Sequence, residues 1–143
     1  MDVQVQGAAD MQRFARSFIS TLQPEIGTAT VVALSGELGA GKTTFAQALA
    51  RALGVEETVN SPTFVIEKIY ALSHQKWQRL IHIDAYRLKS AEELRALGWE
   101  RMVADKNNLI VIEWPENVAG AIPESAHRIT IEIGEGEGRI LKI

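Results

Sequence analysis

The sequence predicts an α/β protein whose sheet has a parallel centre and antiparallel additions. One observation carries this prediction, and two more place a site on it. Runs rich in β-branched residues alternate with helix-spaced segments in the first half of the chain, and strand-like runs dominate the second half. Two of those runs end in a lone carboxylate, Asp84 and Glu113, at the carboxyl end of a strand where open α/β sheets bind ligands. A glycine-rich turn joins a strand-like run to a helix-like one at residues 36–43.

Taken in order, Met11, Phe14, Ala15, Phe18, Ile19 and Leu22 recur at helical spacing, with Asp10 as the expected N-cap. Thr30 to Leu34 is short, apolar and β-branched, and reads as a buried strand. Phe45, Leu49, Ala52 and Leu53 mark one face of a second helix, which Gly54 is placed to end. Val59 to Tyr70 holds a Ser-Pro turn followed by a β-branched stretch. Leu80 to Tyr86 reads as a strand in which His82, Asp84 and Tyr86 share a face. Ser90 and Glu93 form a capping box that opens a short helix through Leu97, stopped by Gly98. Leu109 to Trp114 is another apolar run, ended by an acid, a tryptophan and a proline. His127 to Ile133 and Arg139 to Ile143 read as a terminal strand pair, joined by a turn at Gly134 to Gly138.

At 143 residues the chain is the size of one domain, expected to span 1–143 and to bury a core without staples. The absence of cysteine excludes disulfides, zinc-thiolate sites and a cysteine nucleophile. A net charge of -3 argues against a protein that coats nucleic acid, so no DNA partner is expected. Lys76, Arg79, Arg87 and Lys89 cluster in sequence around Asp84; they read as a solvated loop and strand end, with a local basic patch as the alternative. No apolar stretch has the length of a membrane span and no signal peptide is evident, so the expected location is the cytoplasm.

The segment Gly36-Glu37-Leu38-Gly39-Ala40-Gly41-Lys42-Thr43 fits G-x-x-x-x-G-K-[ST] at every fixed position, and Thr44 continues it. Its glycines let the backbone curl so that several N–H groups point at one phosphate. The following helix adds its own unpaired N–H groups and the positive end of its dipole. Lys42 supplies a cation for the β- and γ-phosphates, and Thr43 a hydroxyl for Mg²⁺. Together with the strand before it and the helix after it, the segment refines the prediction to a three-layer fold like that of P-loop NTPases. Glu37 is the unexpected residue, and its charge is expected to point away from the phosphates.

Such a site needs an acid on a neighbouring strand to hold the magnesium, directly or through water. Asp84 and Glu113 are both candidates on the residues alone. His82 is read as a packed or hydrogen-bonded residue, and Trp99 and Trp114 as core. No Asn-Lys-x-Asp guanine-reading element and no Asp-x-x-Gly switch is present, which favours ATP by exclusion.

Four elements occur in order: residues 36–44, then Ser61-Pro62-Thr63-Phe64, then His82-Ile83-Asp84-Ala85-Tyr86-Arg87-Leu88, then Ile112-Glu113-Trp114-Pro115. In these the chain resembles the bacterial TsaE (YjeE) family, the ATPase component of tRNA threonylcarbamoyladenosine synthesis. The resemblance implies a cytoplasmic protein that binds ATP and Mg²⁺ and hydrolyses ATP weakly alone. It also implies work with the partner proteins TsaD and TsaB, which carry threonylcarbamoyl transfer to an adenosine beside the tRNA anticodon. Carried over, Lys42 would bind phosphates, Thr43 and Glu113 would hold Mg²⁺, and Asp84 would position or activate the attacking water. Ser61 to Phe64 would belong to a nucleotide-sensing or partner-facing segment, and Arg139 would be the candidate for a base contact. The alternatives are a small-molecule P-loop kinase, for which no arginine-rich lid is evident, and a non-catalytic nucleotide sensor.

Overall fold

The computed structural model describes residues 1–57 and 66–143. Among the described residues seven strands form one sheet: β1 (Asp2–Gln6), β2 (Thr30–Ser35), β3 (Glu67–Ala71), β4 (Arg79–Asp84), β5 (Asn108–Glu113), β6 (His127–Ile133) and β7 (Gly138–Lys142). Their spatial order is β1-β7-β6-β2-β5-β4-β3. Parallel pairing joins β6 to β2, β2 to β5 and β5 to β4. The strands β1, β7 and β3 are added antiparallel at the margins. The expected mixed sheet with its parallel centre is therefore present.

Helices cover both faces. On one side α1 (Ala8–Thr21) and α2 (Lys42–Ala52) pack over Val32, Leu34, Leu109 and Val111. On the other, α3 (Ala91–Ala96), α4 (Trp99–Val103) and a 3₁₀ segment (Pro115–Ala121) pack over Val31, Ala33, Ile110 and Ile112. Alternate residues of β2 and β5 thus enter opposite cores, which explains why both strands read as continuous apolar runs instead of alternating ones. The rings of Phe14, Phe18 and Phe45 cluster with centroids 5.8 to 6.1 Å apart and tie α1 to α2.

Several boundaries differ from expectation for physical reasons. Helix α1 starts at Ala8 behind Gly7, so Asp10 lies inside the first turn and is not the N-cap. From there its carboxylate still accepts the Gln6 N–H at 2.9 Å and pairs with Arg13, at the helix end that favours negative charge. Strand β1 was not expected; it is five residues long and exists by pairing with β7 across the length of the chain. Strand β4 stops at Asp84, so Tyr86 lies beyond it and does not share its pleat with His82. Ser90 caps α3 as expected, its hydroxyl accepting the Glu93 N–H at 3.3 Å, one of the two bonds of the capping box. Gly98 takes the left-handed conformation that separates α3 from α4. The Ser61–Phe64 segment lies outside the described residues.

Candidate active site

Strand β2 delivers the chain into the glycine-rich loop at Gly36. A Cβ there would sit 2.6 Å from the backbone oxygen of Ile131 on β6, so only glycine allows this approach. Gly41 adopts φ 111° as the N-cap of α2, turning the chain so that the helix starts at Lys42. From β7, Arg139 donates its Nε–H to the Ala40 carbonyl at 2.8 Å and braces the outer side of the loop.

Lys42 folds back over the loop. Its Nζ donates to the carbonyls of Gly36 and of Glu37, the latter at 2.9 Å, and lies 4.1 Å from the centroid of the Trp114 ring. The residue is only 5% exposed. Burial lowers its pKa, opposed by the carboxylates of Glu113, Glu116 and Asp84. A cation at the positive end of a helix is also unfavourable. The loop, the helix and the lysine together form a concentrated positive site suited to an anion.

The strand order decides which acid lies nearest this loop. β5 is the direct neighbour of β2, with Leu34 opposite Glu113, whereas β4 is one strand further out. Glu113 is buried, and the Thr43 hydroxyl lies 3.2 Å from its Oε1 and 3.4 Å from its Oε2. Its Oε2 lies 2.6 Å from His82 Nε2. Asp84 is the register partner of Glu113 on β4, is 5% exposed, and accepts the Tyr86 N–H at 3.0 Å. After Glu113 the chain turns sharply: Trp114 has φ 61°, a left-handed conformation uncommon for so bulky a residue. In that turn its N–H bonds the Leu34 carbonyl at 3.2 Å, and its ring meets Tyr86 with centroids 5.2 Å apart.

These residues enclose a cleft of about 310 Å³, with Leu38, Gly39 and Gly41 to Thr44 on one wall and Asp84, Tyr86, Glu113 and Trp114 on the other. A second cavity, of about 280 Å³, continues past Gly39, Gly41 and Thr44 toward Met11 and Arg139. Of the loop positions singled out from the sequence, Gly36 and Glu37 lend their carbonyls to Lys42, Ala40 is buried beneath the loop, and the Glu37 side chain is exposed. The basic residues around Asp84 do not form one patch. Lys76 bonds the Leu22 carbonyl and Arg79 pairs with Asp105, both at the start of β4, while Arg87 and Lys89 follow its far end.

The donor set is oxygen from one hydroxyl and two carboxylates, which suits a hard cation such as Mg²⁺. That ion is usually held by one or two carboxylates together with substrate phosphates, not by an all-protein cage. Among the described residues no group of three or more His, Cys, Asp or Glu side chains is arranged to hold a metal ion.

Two contributors escaped the sequence reading. Trp114, taken as core, stands over Lys42; the strained Glu-Trp-Pro junction was the available signal. Glu116 accepts the Ser35 hydroxyl at 3.1 Å and adds negative charge near Lys42; no sequence pattern marks it. His82, expected to be packed or hydrogen-bonded, is both, and its partner is Glu113.

The family model described as threonylcarbamoyl adenosine biosynthesis protein TsaE matches residues 5–141. A Streptomyces coelicolor protein named tRNA threonylcarbamoyladenosine biosynthesis protein TsaE is 40% identical over 108 residues, covering 75% of this chain and 71% of its own. Its namesake in Rickettsia bellii is 33% identical over 135 residues, covering 94% and 88%. The crystal structure of Bacillus subtilis YdiB superposes with a TM-score of 0.77 at 24% identity over 99% of this chain and 82% of that one, a likeness of fold. With the matched region running from β1 to β7 and through the whole cleft, the chain belongs to the TsaE family.

Proposed function

We propose that this chain is the Mg²⁺-dependent ATP-binding and ATP-hydrolysing subunit of tRNA threonylcarbamoyladenosine synthesis. In this reading it acts with TsaD and TsaB on the adenosine beside the anticodon. The observation that carries the nucleotide half is the convergence of Lys42, Thr43, Glu113 and Asp84 in one cleft at the carboxyl ends of β2, β5 and β4. Membership of the TsaE family and the names of its relatives support the tRNA half. The partner proteins follow from the resemblance, and a cytoplasmic location is part of the same reading.

The loop N–H groups would cradle the phosphates, and Lys42 would exchange its carbonyl partners for β- and γ-phosphate oxygens. Thr43 and Glu113 would hold Mg²⁺, which when bound neutralises charge on the transferring phosphoryl group. Asp84, next to Glu113 and lining the cleft, would orient the attacking water. The cavity past Thr44, beside Arg139, would take the nucleoside end.

The test is ATP hydrolysis by the purified chain, alone and then with purified TsaD and TsaB. The expected result is a slow rate alone that rises with the partners and falls about a hundredfold in Asp84→Asn. A rate indifferent to the partners would remove the tRNA role, and full activity in both Asp84→Asn and Glu113→Gln would remove the catalytic one.

A further inference from the structure

His82 is buried at 1% exposure on β4, yet its imidazole reaches across to the next strand and meets a carboxylate at 2.6 Å. The register explains the meeting. His82 is opposite Val111 on β5, and Glu113 lies two residues further along the same face. A carboxylate oxygen accepts, so it is the Nε2–H that donates. Nδ1 has no hydrogen-bond partner among the described residues. Burying a polar atom unpaired costs stability that an aliphatic side chain would avoid. Packing alone therefore does not account for an imidazole here.

We propose that His82 is the positioning residue for Glu113: it fixes Oε2 and so determines that Oε1 is the oxygen offered to the cleft. Thr43 cannot make that choice, because its hydroxyl lies almost equally far from the two oxygens, at 3.2 and 3.4 Å. The terminal torsion of a glutamate is soft and nearly two-fold. Glu113 would turn either oxygen to the cleft without a second anchor. The imidazole supplies that anchor from a buried ring that is not itself among the residues lining the cleft. Partners that orient a metal-binding side chain typically matter ten- to a hundredfold in metal affinity.

This inference rests on the reading of Glu113 as the magnesium-holding acid, and the experiment separates the two. Binding of N-methylanthraniloyl-ADP to the full chain would be titrated against Mg²⁺ and repeated in EDTA. In the wild type Mg²⁺ should tighten binding, and Glu113→Gln should abolish the effect. His82→Leu should raise the Mg²⁺ concentration for half-maximal effect about ten- to a hundredfold, with affinity in EDTA unchanged. His82→Gln, which restores an N–H donor of similar reach, should recover most of the magnesium response. A normal magnesium response in His82→Leu overturns the positioning role, as does an equal loss with and without the ion. Indifference of Glu113→Gln overturns the reading beneath it as well. Should His82→Leu fail to fold, nitrogen-15 spectra of the wild type decide. The Nε2–H tautomer with a resonance that moves when Mg²⁺ joins the ADP complex supports the role; an Nδ1–H tautomer, or no movement, refutes it.

Discussion

Lys42 holds an ammonium at the positive end of α2, almost out of water, with three carboxylates as its compensation. Burial has the larger effect, so its pKa lies below the usual 10.5. The unfolded chain therefore holds this proton at pH values where the folded chain has begun to lose it. In the window just under 10.5, stability should rise with pH, and below that window the full cost of the buried charge is present. Denaturant melts of the wild type and Lys42→Met across that range check the sign: the wild type should gain relative to the variant as pH rises. Bound phosphate would reverse the balance by favouring the cation. The identity of Lys42 and Thr43 was readable from the loop pattern alone. The aromatic ring over Lys42 was not, because it depends on a turn 72 residues away in sequence whose left-handed backbone no spacing rule announces.

Helix α2 is where packing and chemistry share one element. Its first turn carries Lys42 and Thr43, and three residues into it Phe45 is wholly buried against Phe14 and Phe18 of α1. Phe45→Ala should cost about 3–5 kcal/mol of stability. Equilibrium unfolding measures that loss, and nucleotide affinity in the still-folded fraction should also fall, because the anchored helix sets the height of the loop. Periodicity made both α1 and α2 legible, and the serine-glutamate spacing made the start of α3 legible, since these depend on neighbours within a turn or two. Strand β1 was illegible for the opposite reason. Its partner is β7, and an edge strand of five residues is defined by what it pairs with.

For the molecule as a whole, the order of strands decides the chemistry. Sequence alone offered two acids at strand ends and no means of ranking them by distance from the loop. Placing β5 between β2 and β4 sets Glu113 beside Thr43 and Asp84 one strand beyond. An early alternation of strands and helices foretold the mixed sheet, but strand order is a long-range property that alternation leaves open. The same order takes the four basic residues near Asp84 apart, because β4 runs the height of the sheet between them. No helix among the described residues is long and apolar enough to cross a membrane.

The chain has three tryptophans, and their placement gives the protein an optical reporter of its own. Trp77 and Trp99 are sealed in the interior at 2% and 1% exposure, one on each side of the sheet, so their emission should ignore events at the surface. Trp114 alone lines the cleft, with a cation against its face. Drawing that cation away toward a phosphate would change its surroundings at once. Intrinsic fluorescence should therefore shift when ADP is added to the unlabelled protein, and Trp114→Phe should abolish that shift while leaving two emitting indoles in place. The tryptophan at the turn that follows β5 would thus double as a gauge of how much of the protein carries nucleotide.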